Sequence, residues 1–150
     1  MGVNMKTRGK HLILGMLATI AVCTTLVYSH CQLPCGIYDD PARFGEMREN
    51  ITTIEKSMNL IQALSAEDKP NMNQIVRWVM NKEDHADKLQ ETVTQYFMTQ
   101  RIKLDAKDYD KKLGLLHQML VYGMKCKQTT DLSNVEKLRQ LVKDFQAIYF

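Results

Sequence analysis

The sequence is poor in glycine and proline, with seven and three among 150 residues, which excludes collagen-like and proline-rich chains. It contains no glycine-rich phosphate loop, no His-Glu-x-x-His motif and no Gly-x-Ser-x-Gly motif, so three common enzyme signatures are missing. A net charge of +3 is too small and too dispersed to indicate a nucleic-acid partner. With 45% hydrophobic and 25% charged residues, the chain is expected to fold around one hydrophobic core.

Acidic residues are absent from the first 38 positions. Three cations within the first ten residues precede an apolar run over residues 12–28, which only threonines and one glycine interrupt. This order is typical of a secretory signal peptide, and Ser29 is a suitable last residue of the leader. The alternative is an uncleaved membrane anchor, although the run is short for a span of about 20 residues. We therefore predict residues 1–29 to be a signal peptide or leader that contacts the membrane.

The leader also predicts the compartment and the charge of the mature protein. Cations before an apolar segment stay on the cytoplasmic side, so the domain that follows is expected to be exported. It would be periplasmic or extracellular, or tethered to the membrane if the leader is retained. Without residues 1–29 the chain has 17 basic and 17 acidic residues, because all three leader charges are basic.

After position 40, apolar residues recur at steps of three and four, which is the spacing of amphipathic helices. The first helix is predicted to begin with Asp40 as its cap and Pro41 in its first turn, and to end before a loop over residues 65–71. A second helix is predicted over residues 73–101 and a third after a polar turn over residues 105–110. The fourth helix begins either at Asp131 or at the capping box Ser133-x-x-Glu136.

One face of each helix is predicted to point into a core. These positions are Phe44, Met47, Ile51, Ile54, Met58 and Ile61, then Val79, Ala86, Leu89, Val93 and Tyr96, then Leu113, Leu116, Leu120 and Met124, and finally Val135, Leu138, Val142, Phe145 and Tyr149. Four such helices with short connections predict an all-α, up-down-up-down four-helix bundle over residues 39–150. Residues 30–38 precede the predicted bundle.

Three isolated side chains are weak candidates for chemistry. His85 lies in the charged stretch of residues 82–87 and is predicted to be a surface histidine. His117 lies among leucines and is predicted to be a satisfied or boundary histidine. Cys126 lies between Lys125 and Lys127, whose charges are expected to lower the pKa of its thiol, but no partner is evident.

Residues 30–38, His-Cys-Gln-Leu-Pro-Cys-Gly-Ile-Tyr, are the strongest candidate for a metal site. Cleavage before His30 creates a free amine. This amine, the backbone amide nitrogen of Cys31 and the Cys31 thiolate form two fused five-membered chelate rings around one metal. Cys35 closes a fourth position if the chain turns at Pro34. Square-planar nitrogen and sulfur ligation favours copper(II) or nickel(II).

The residues alone leave two other interpretations open. One is a Cys31–Cys35 disulfide in an exported structural bundle. The other is a tetrahedral zinc site that combines His30, Cys31 and Cys35 with a distant histidine.

The segment HCQLPCGIY resembles the amino-terminal nickel hook of the nickel superoxide dismutases, whose pattern is H-C-x-x-P-C-G-x-Y. Every fixed position matches, namely His30, Cys31, Pro34, Cys35, Gly36 and Tyr38. The similarity extends over residues 30–150 in length, in the four-helix layout and in the Tyr96-Phe97 pair.

The resemblance implies a superoxide dismutase that converts superoxide to oxygen and hydrogen peroxide by Ni(III)/Ni(II) cycling, with one nickel ion per subunit. His30, Cys31 and Cys35 would be the metal ligands, and Pro34 would turn the hook through a cis peptide bond. Tyr38 would stand beside the metal, with Tyr96 as the second tyrosine near it. The resemblance also implies assembly as a homohexamer. The alternative function is a non-enzymatic periplasmic bundle that binds copper or nickel through the same hook.

Overall fold

A computed structural model describes residues 15–16 and 33–150 of the chain. Residues 36–150 form the helical unit, and residues 33–35 belong to the amino-terminal unit. Most of the predicted leader and two predicted metal ligands, His30 and Cys31, lie outside the described residues. No helix in the described part of the chain is both long enough and apolar enough to cross a membrane.

The helical unit contains four α-helices and one π-helical segment, and the described residues contain no strand. This confirms the all-α prediction. The elements are α1 (Asp40–Ser65), α2 (Met72–Glu91), the π segment (Thr92–Arg101), α3 (Tyr109–Gln128) and α4 (Leu132–Tyr149).

Hydrogen bonds between side chains and neighbouring helices show that adjacent helices run antiparallel. In each pair the residue numbers rise along one helix as they fall along the other. The pairs are Asn50–His85 and Ser57–Asn81 between α1 and α2, Gln90–Leu120 and Lys82–Cys126 between α2 and α3, and Arg48–Gln146 and Glu55–Arg139 between α1 and α4. The unit is therefore a four-helix bundle with consecutive helices side by side.

The core is formed by the apolar faces of all four helices and the π segment. Most of the predicted inward positions are buried, and Phe44, Phe97 and Phe145 lie at its centre with ring centroids 5.0 to 5.6 Å apart. Two predicted core positions are wrong, because Val79 is 37% and Met124 is 43% exposed.

A helix end explains the error at Val79, and the register of the buried face explains the error at Met124. Lys82 contacts carbonyl groups at the carboxyl end of α3, so the first turns of α2 extend past that end, and Val79 lies in this part. In α3 the buried positions are Leu116, Met119, Gly123 and Cys126. Met124 lies one position away from that stripe.

Helix α1 is capped by Asp39 and not, as predicted, by Asp40. The Asp39 carboxylate accepts a hydrogen bond of 3.0 Å from the Ala42 amide, which fills the role of a helix cap, and Asp40 is the first helical residue. At α4 the Asp131 alternative is correct, because its carboxylate accepts from the Ser133 amide at 2.9 Å. The Asp40 side chain is thus available for contacts elsewhere.

The predicted second helix changes its hydrogen-bonding pattern at Thr92. From there to Arg101 the backbone is π-helical, with bonds between residues five apart, whereas an α-helix joins residues four apart. Tyr96 and Arg101, separated by five residues, consequently lie about one turn apart.

Lys82 is 3% exposed, although the sequence places it in a charged stretch predicted to lie on the surface. Its ammonium donates hydrogen bonds to the carbonyls of Cys126, Lys127 and Thr129. These groups end α3 and have no partner within the helix, so Lys82 caps α3 from the neighbouring helix.

The prediction that neighbouring lysines lower the pKa of the Cys126 thiol is wrong. The side chain is fully buried, and burial raises the pKa of its thiol to about 11, more than the nearby Lys82 lowers it. The neighbouring lysines do not activate it.

The two histidines of the bundle differ in their surroundings. His85 is half-buried, and its Nδ1 lies 2.7 Å from Asn50 Oδ1 between α1 and α2, so it is more enclosed than predicted. Burial, followed by the charge of Lys88, lowers its pKa. His117 is exposed on α3 and is not a boundary residue.

Candidate metal centre

Residues 33–36, within the predicted hook, form a turn. The Leu33–Pro34 peptide bond is cis, and Gly36 has a φ of +84°, a backbone conformation that glycine adopts without steric penalty. Cys35 is exposed and is a free cysteine. The turn therefore presents a thiol that is not committed to a disulfide.

The predicted ligand set remains a prediction. His30 and Cys31 lie outside the described residues, and within those residues no group of three or more His, Cys, Asp or Glu side chains is arranged to hold a metal ion. The donor chemistry fits nickel nevertheless, because Cys35 supplies an accessible soft sulfur ligand and Cys31 would supply another.

The structure brings together the two tyrosines that the sequence singled out. Tyr38 precedes α1 and is 38% exposed, whereas Tyr96 in the π segment is 4% exposed. Their ring centroids lie 5.8 Å apart in an edge-to-face arrangement. Such a contact is favourable and fixes one ring relative to the other.

A network of charged and phenolic groups that the sequence analysis missed surrounds this pair. The Asp40 carboxylate accepts hydrogen bonds from the Tyr96 hydroxyl at 2.6 Å and from the Tyr149 hydroxyl at 2.8 Å. Arg101 donates to both oxygens of the same carboxylate, from Nε at 2.8 Å and from Nη2 at 2.6 Å. The Arg101 guanidinium also lies over the Tyr38 ring, 4.3 Å from its centroid. We call these five residues the Asp40 network.

Burial and hydrogen bonding within the Asp40 network shift the pKa values of Asp40, Tyr96 and Tyr149. Burial raises the pKa of Asp40, but the hydrogen bonds from Arg101, Tyr96 and Tyr149 together lower it more, so its pKa lies below the ordinary value. Burial and the hydrogen bond to Asp40 raise the pKa of Tyr149 to about 12 and that of Tyr96 still further.

A second cation contacts the Tyr96 ring. The Arg43 guanidinium lies 5.2 Å from the centroid, and its Nη1 is 2.7 Å from Glu46 Oε1. Both arginines near the tyrosine pair are therefore matched by a carboxylate, and neither presents an unbalanced positive charge.

Two features of the sequence concealed the Asp40 network. Asp40 beside Pro41 matches the pattern of a helix cap, which hides a different role. Arg101 is five residues from Tyr96, and α-helical spacing places such residues on different faces, whereas the π segment brings both to Asp40. The unusual helix type has no evident sequence signal here.

The fold and the turn thus define a helical bundle preceded in sequence by an exposed, thiol-bearing turn with a cis proline. Comparison with known families makes the assignment specific. Residues 25–150 match the family described as nickel-containing superoxide dismutase, and the chain belongs to this family. It is accordingly a nickel-dependent oxidoreductase that acts on superoxide. A search of curated proteins and a search of solved structures each returned no match.

Proposed function

We propose that the chain begins at His30 after removal of residues 1–29, and that His30, Cys31 and Cys35 hold one nickel ion per subunit. The observation that carries this proposal is the family match, which covers the whole hook pattern and the bundle. The free, exposed Cys35 thiol next to the cis Leu33–Pro34 bond supports it, because a disulfide would remove that ligand.

When bound, nickel supplies one-electron exchange between Ni(III) and Ni(II), by which one superoxide is oxidised to oxygen and a second, with two protons, is reduced to hydrogen peroxide. The thiolates of Cys31 and Cys35 and the deprotonated Cys31 amide would donate electron density to the metal and so make the higher oxidation state accessible. His30 would contribute its amine and its imidazole as further donors.

Tyr38 is the tyrosine available to interact with small oxygen species. It is part-exposed, and no described residue forms a hydrogen bond with its hydroxyl. Tyr96 is buried, and its hydroxyl donates a hydrogen bond to Asp40. Its contribution is therefore to support the Tyr38 ring through the edge-to-face contact. The protons that peroxide requires come from water, which Tyr38 orders and whose access it limits.

The leader and the assembly complete the proposal. Residues 1–29 direct the domain to the periplasm or the extracellular space, or tether it to the membrane if they are retained. The mature chain assembles as a homohexamer. An exposed apolar stripe at the start of α2 supports self-association, because isolated folded subunits rarely expose such rows. We call it the α2 stripe; it consists of Met72, Val76, Val79 and Met80.

The decisive experiment is the mass of the native protein recovered from its host under non-denaturing conditions. We expect a subunit that begins at His30 and carries one nickel ion. A chain that retains the leader, or one lighter by two hydrogens and without metal, would overturn the proposed site in favour of the anchor or disulfide interpretation. Nickel or copper binding without dismutase activity would instead indicate the non-enzymatic carrier.

A variant with one residue added before His30 tests the free amine directly. Its amine is displaced from the chelate rings, so we expect dismutase activity to be lost while helicity, measured by circular dichroism, stays that of the parent. Retained activity would contradict the ligand set. The matched control adds one residue after Phe150, where α4 has already ended.

A further inference from the structure

The Asp40 carboxylate accepts more hydrogen bonds than a simple ion pair with one arginine would give it. Asp40 is the only carboxylate that both Tyr96 and Tyr149 contact in the described structure, and each of its oxygens accepts two hydrogen bonds. Bidentate hydrogen bonds between arginine and carboxylate are short and directional, so they fix the relative orientation of the two groups as well as pairing their charges. The network joins the first turn of α1, the end of the π segment and the end of α4.

The same network determines which tyrosine hydroxyl remains available to donate a hydrogen bond. The Tyr96 and Tyr149 hydroxyls both donate to Asp40, and Arg101 Nε donates to the Tyr149 oxygen at 3.1 Å. Neither proton is available to another acceptor while these bonds persist. Tyr38 differs, since its ring is held by Tyr96 and Arg101 while its hydroxyl has no partner among the described residues.

We propose that Asp40 and Arg101 are positioning residues of the dismutase site, which hold the Tyr38 ring in place and reserve hydrogen-bond donation for its hydroxyl. This inference rests on the proposed function, in which Tyr38 orders water and limits its access. Residues 36–39 belong to no helix, so the ring position of Tyr38 depends on contacts such as these. The guanidinium stacks on the ring and the carboxylate orients the guanidinium, so loss of either partner releases Tyr38.

The test uses the nickel-loaded chain that begins at His30 and the variants D40N, R101M and R101K. The controls E55Q and R139M each remove one charge from another ion pair between helices. Arg139 Nη2 lies 2.7 Å from Glu55 Oε2, and the Arg139 side chain is 26% exposed, close to the 27% of Arg101. R139M therefore matches R101M in charge and enclosure, and E55Q matches D40N in charge, with the Glu55 side chain 34% exposed against 13% for Asp40.

We expect the rate constant for superoxide removal to fall at least about tenfold in D40N and R101M, because a misplaced group loses much of its contribution. R101K should recover part of the rate, since lysine keeps the charge but not the two-pronged contact. The controls should stay within about twofold of the parent.

A second readout reports the network without reference to activity. In the metal-free protein, tyrosine ionisation is followed by NMR of the ring carbon that carries the hydroxyl, with signals assigned by Y96F and Y149F. Tyr96 and Tyr149 should remain protonated through about pH 11 in the parent and ionise at lower pH in D40N, because the variant lacks the negative charge that opposes ionisation.

The outcomes separate the inference from the proposed function. If D40N and R101M match the controls in activity, the inference is overturned and the proposed function stands. Unchanged ionisation of Tyr96 in D40N would also overturn it, because the hydrogen bond would not be holding that hydroxyl. A parent chain that binds nickel but does not remove superoxide overturns the proposed function, while NMR still reports whether the network exists.

Discussion

Asp39 and Asp40 are adjacent and chemically alike, yet the fold gives them different tasks. Asp39 is exposed and satisfies a backbone amide at the start of α1, whereas Asp40 is turned toward Arg101 and two tyrosines. The residue that caps a helix can often be replaced by asparagine, because the amide oxygen also accepts the hydrogen bond. A carboxylate bonded by arginine depends on its charge and cannot be replaced in the same way.

This difference predicts how stability depends on pH. The pKa of Asp40 is lower in the folded protein than in the unfolded chain, so its contribution is present above the ordinary value of about 3.9 and is lost as pH falls below it. We expect the free energy of unfolding of the metal-free protein to decrease between about pH 5 and pH 3 more steeply in the parent than in D40N. Denaturant titrations across that range measure it, and parallel curves would contradict the assignment.

Cys126 supplies a second prediction at the scale of the residue. Its thiol is buried and has a pKa raised to about 11, so it should react with a thiol reagent at about pH 8 only after unfolding. Exposed Cys35 should react at once in the metal-free, reduced protein. The kinetics of labelling with and without denaturant decide the matter, and C126A, which should lack the slow fraction, is the control. Rapid labelling of Cys126 in the folded protein would show that it is accessible.

At the scale of the element, the sequence predicted the helices themselves better than it predicted how their ends lie against neighbouring helices. Regular apolar spacing predicted four helices and most of their buried faces, because that spacing reflects packing directly. It missed where each helix lies relative to its neighbours, which is why Val79 and Met124 were misplaced. Lys82 was also misassigned, since its cap lies on another helix about 44 residues away in sequence.

The candidate site was predictable to a similar degree. The hook pattern and Tyr38 are local features of the sequence, so a resemblance was sufficient to find them. Asp40 and Arg101 were not predictable, because their partnership spans 61 positions and requires the π-helical register. The ligand assignments of His30, Cys31 and Cys35 remain predictions.

The Lys82 cap yields a prediction for α3. Lys82→Met retains most of the buried stem but removes the ammonium from three terminal carbonyls. We expect the free energy of unfolding to fall by about 1.5–3 kcal/mol, as for the loss of hydrogen bonds to a charged group. Chemical denaturation measures it. Lys88→Met, on the exposed side of the same helix, is the matched control, and equal effects of the two substitutions would contradict the capping role.

At the scale of the whole molecule, the proposed assembly requires a surface that the subunits share. The α2 stripe extends beyond α3, and its residues Met72, Val76 and Met80 are more than half exposed. Burial of each such side chain in an interface contributes about 1–2 kcal/mol to the free energy of association. The same contribution recurs in every subunit of the assembly. The proposed homohexamer would place this surface between subunits.

Charge substitution in the α2 stripe tests that placement. We expect the double variant V76E/M80E to have a lower mass in light scattering than the parent, with unchanged helicity, because buried carboxylates are strongly disfavoured. Met124→Glu is the control, since Met124 is also exposed but lies on α3 outside the stripe. A full-sized assembly of the double variant would exclude the stripe from the interfaces.

The π segment gives the second helix two different backbone repeats. Residues 72–91 follow the α-helical repeat and set the packing against α1 and α3, while residues 92–101 follow another repeat and set the approach of Tyr96 and Arg101 to Asp40. A deletion of one residue within the segment would let it continue as an α-helix and would rotate everything after it by about 100°. The segment also carries Phe97 at the centre of the core, so an insertion or deletion there would shift the core packing and the Asp40 network together.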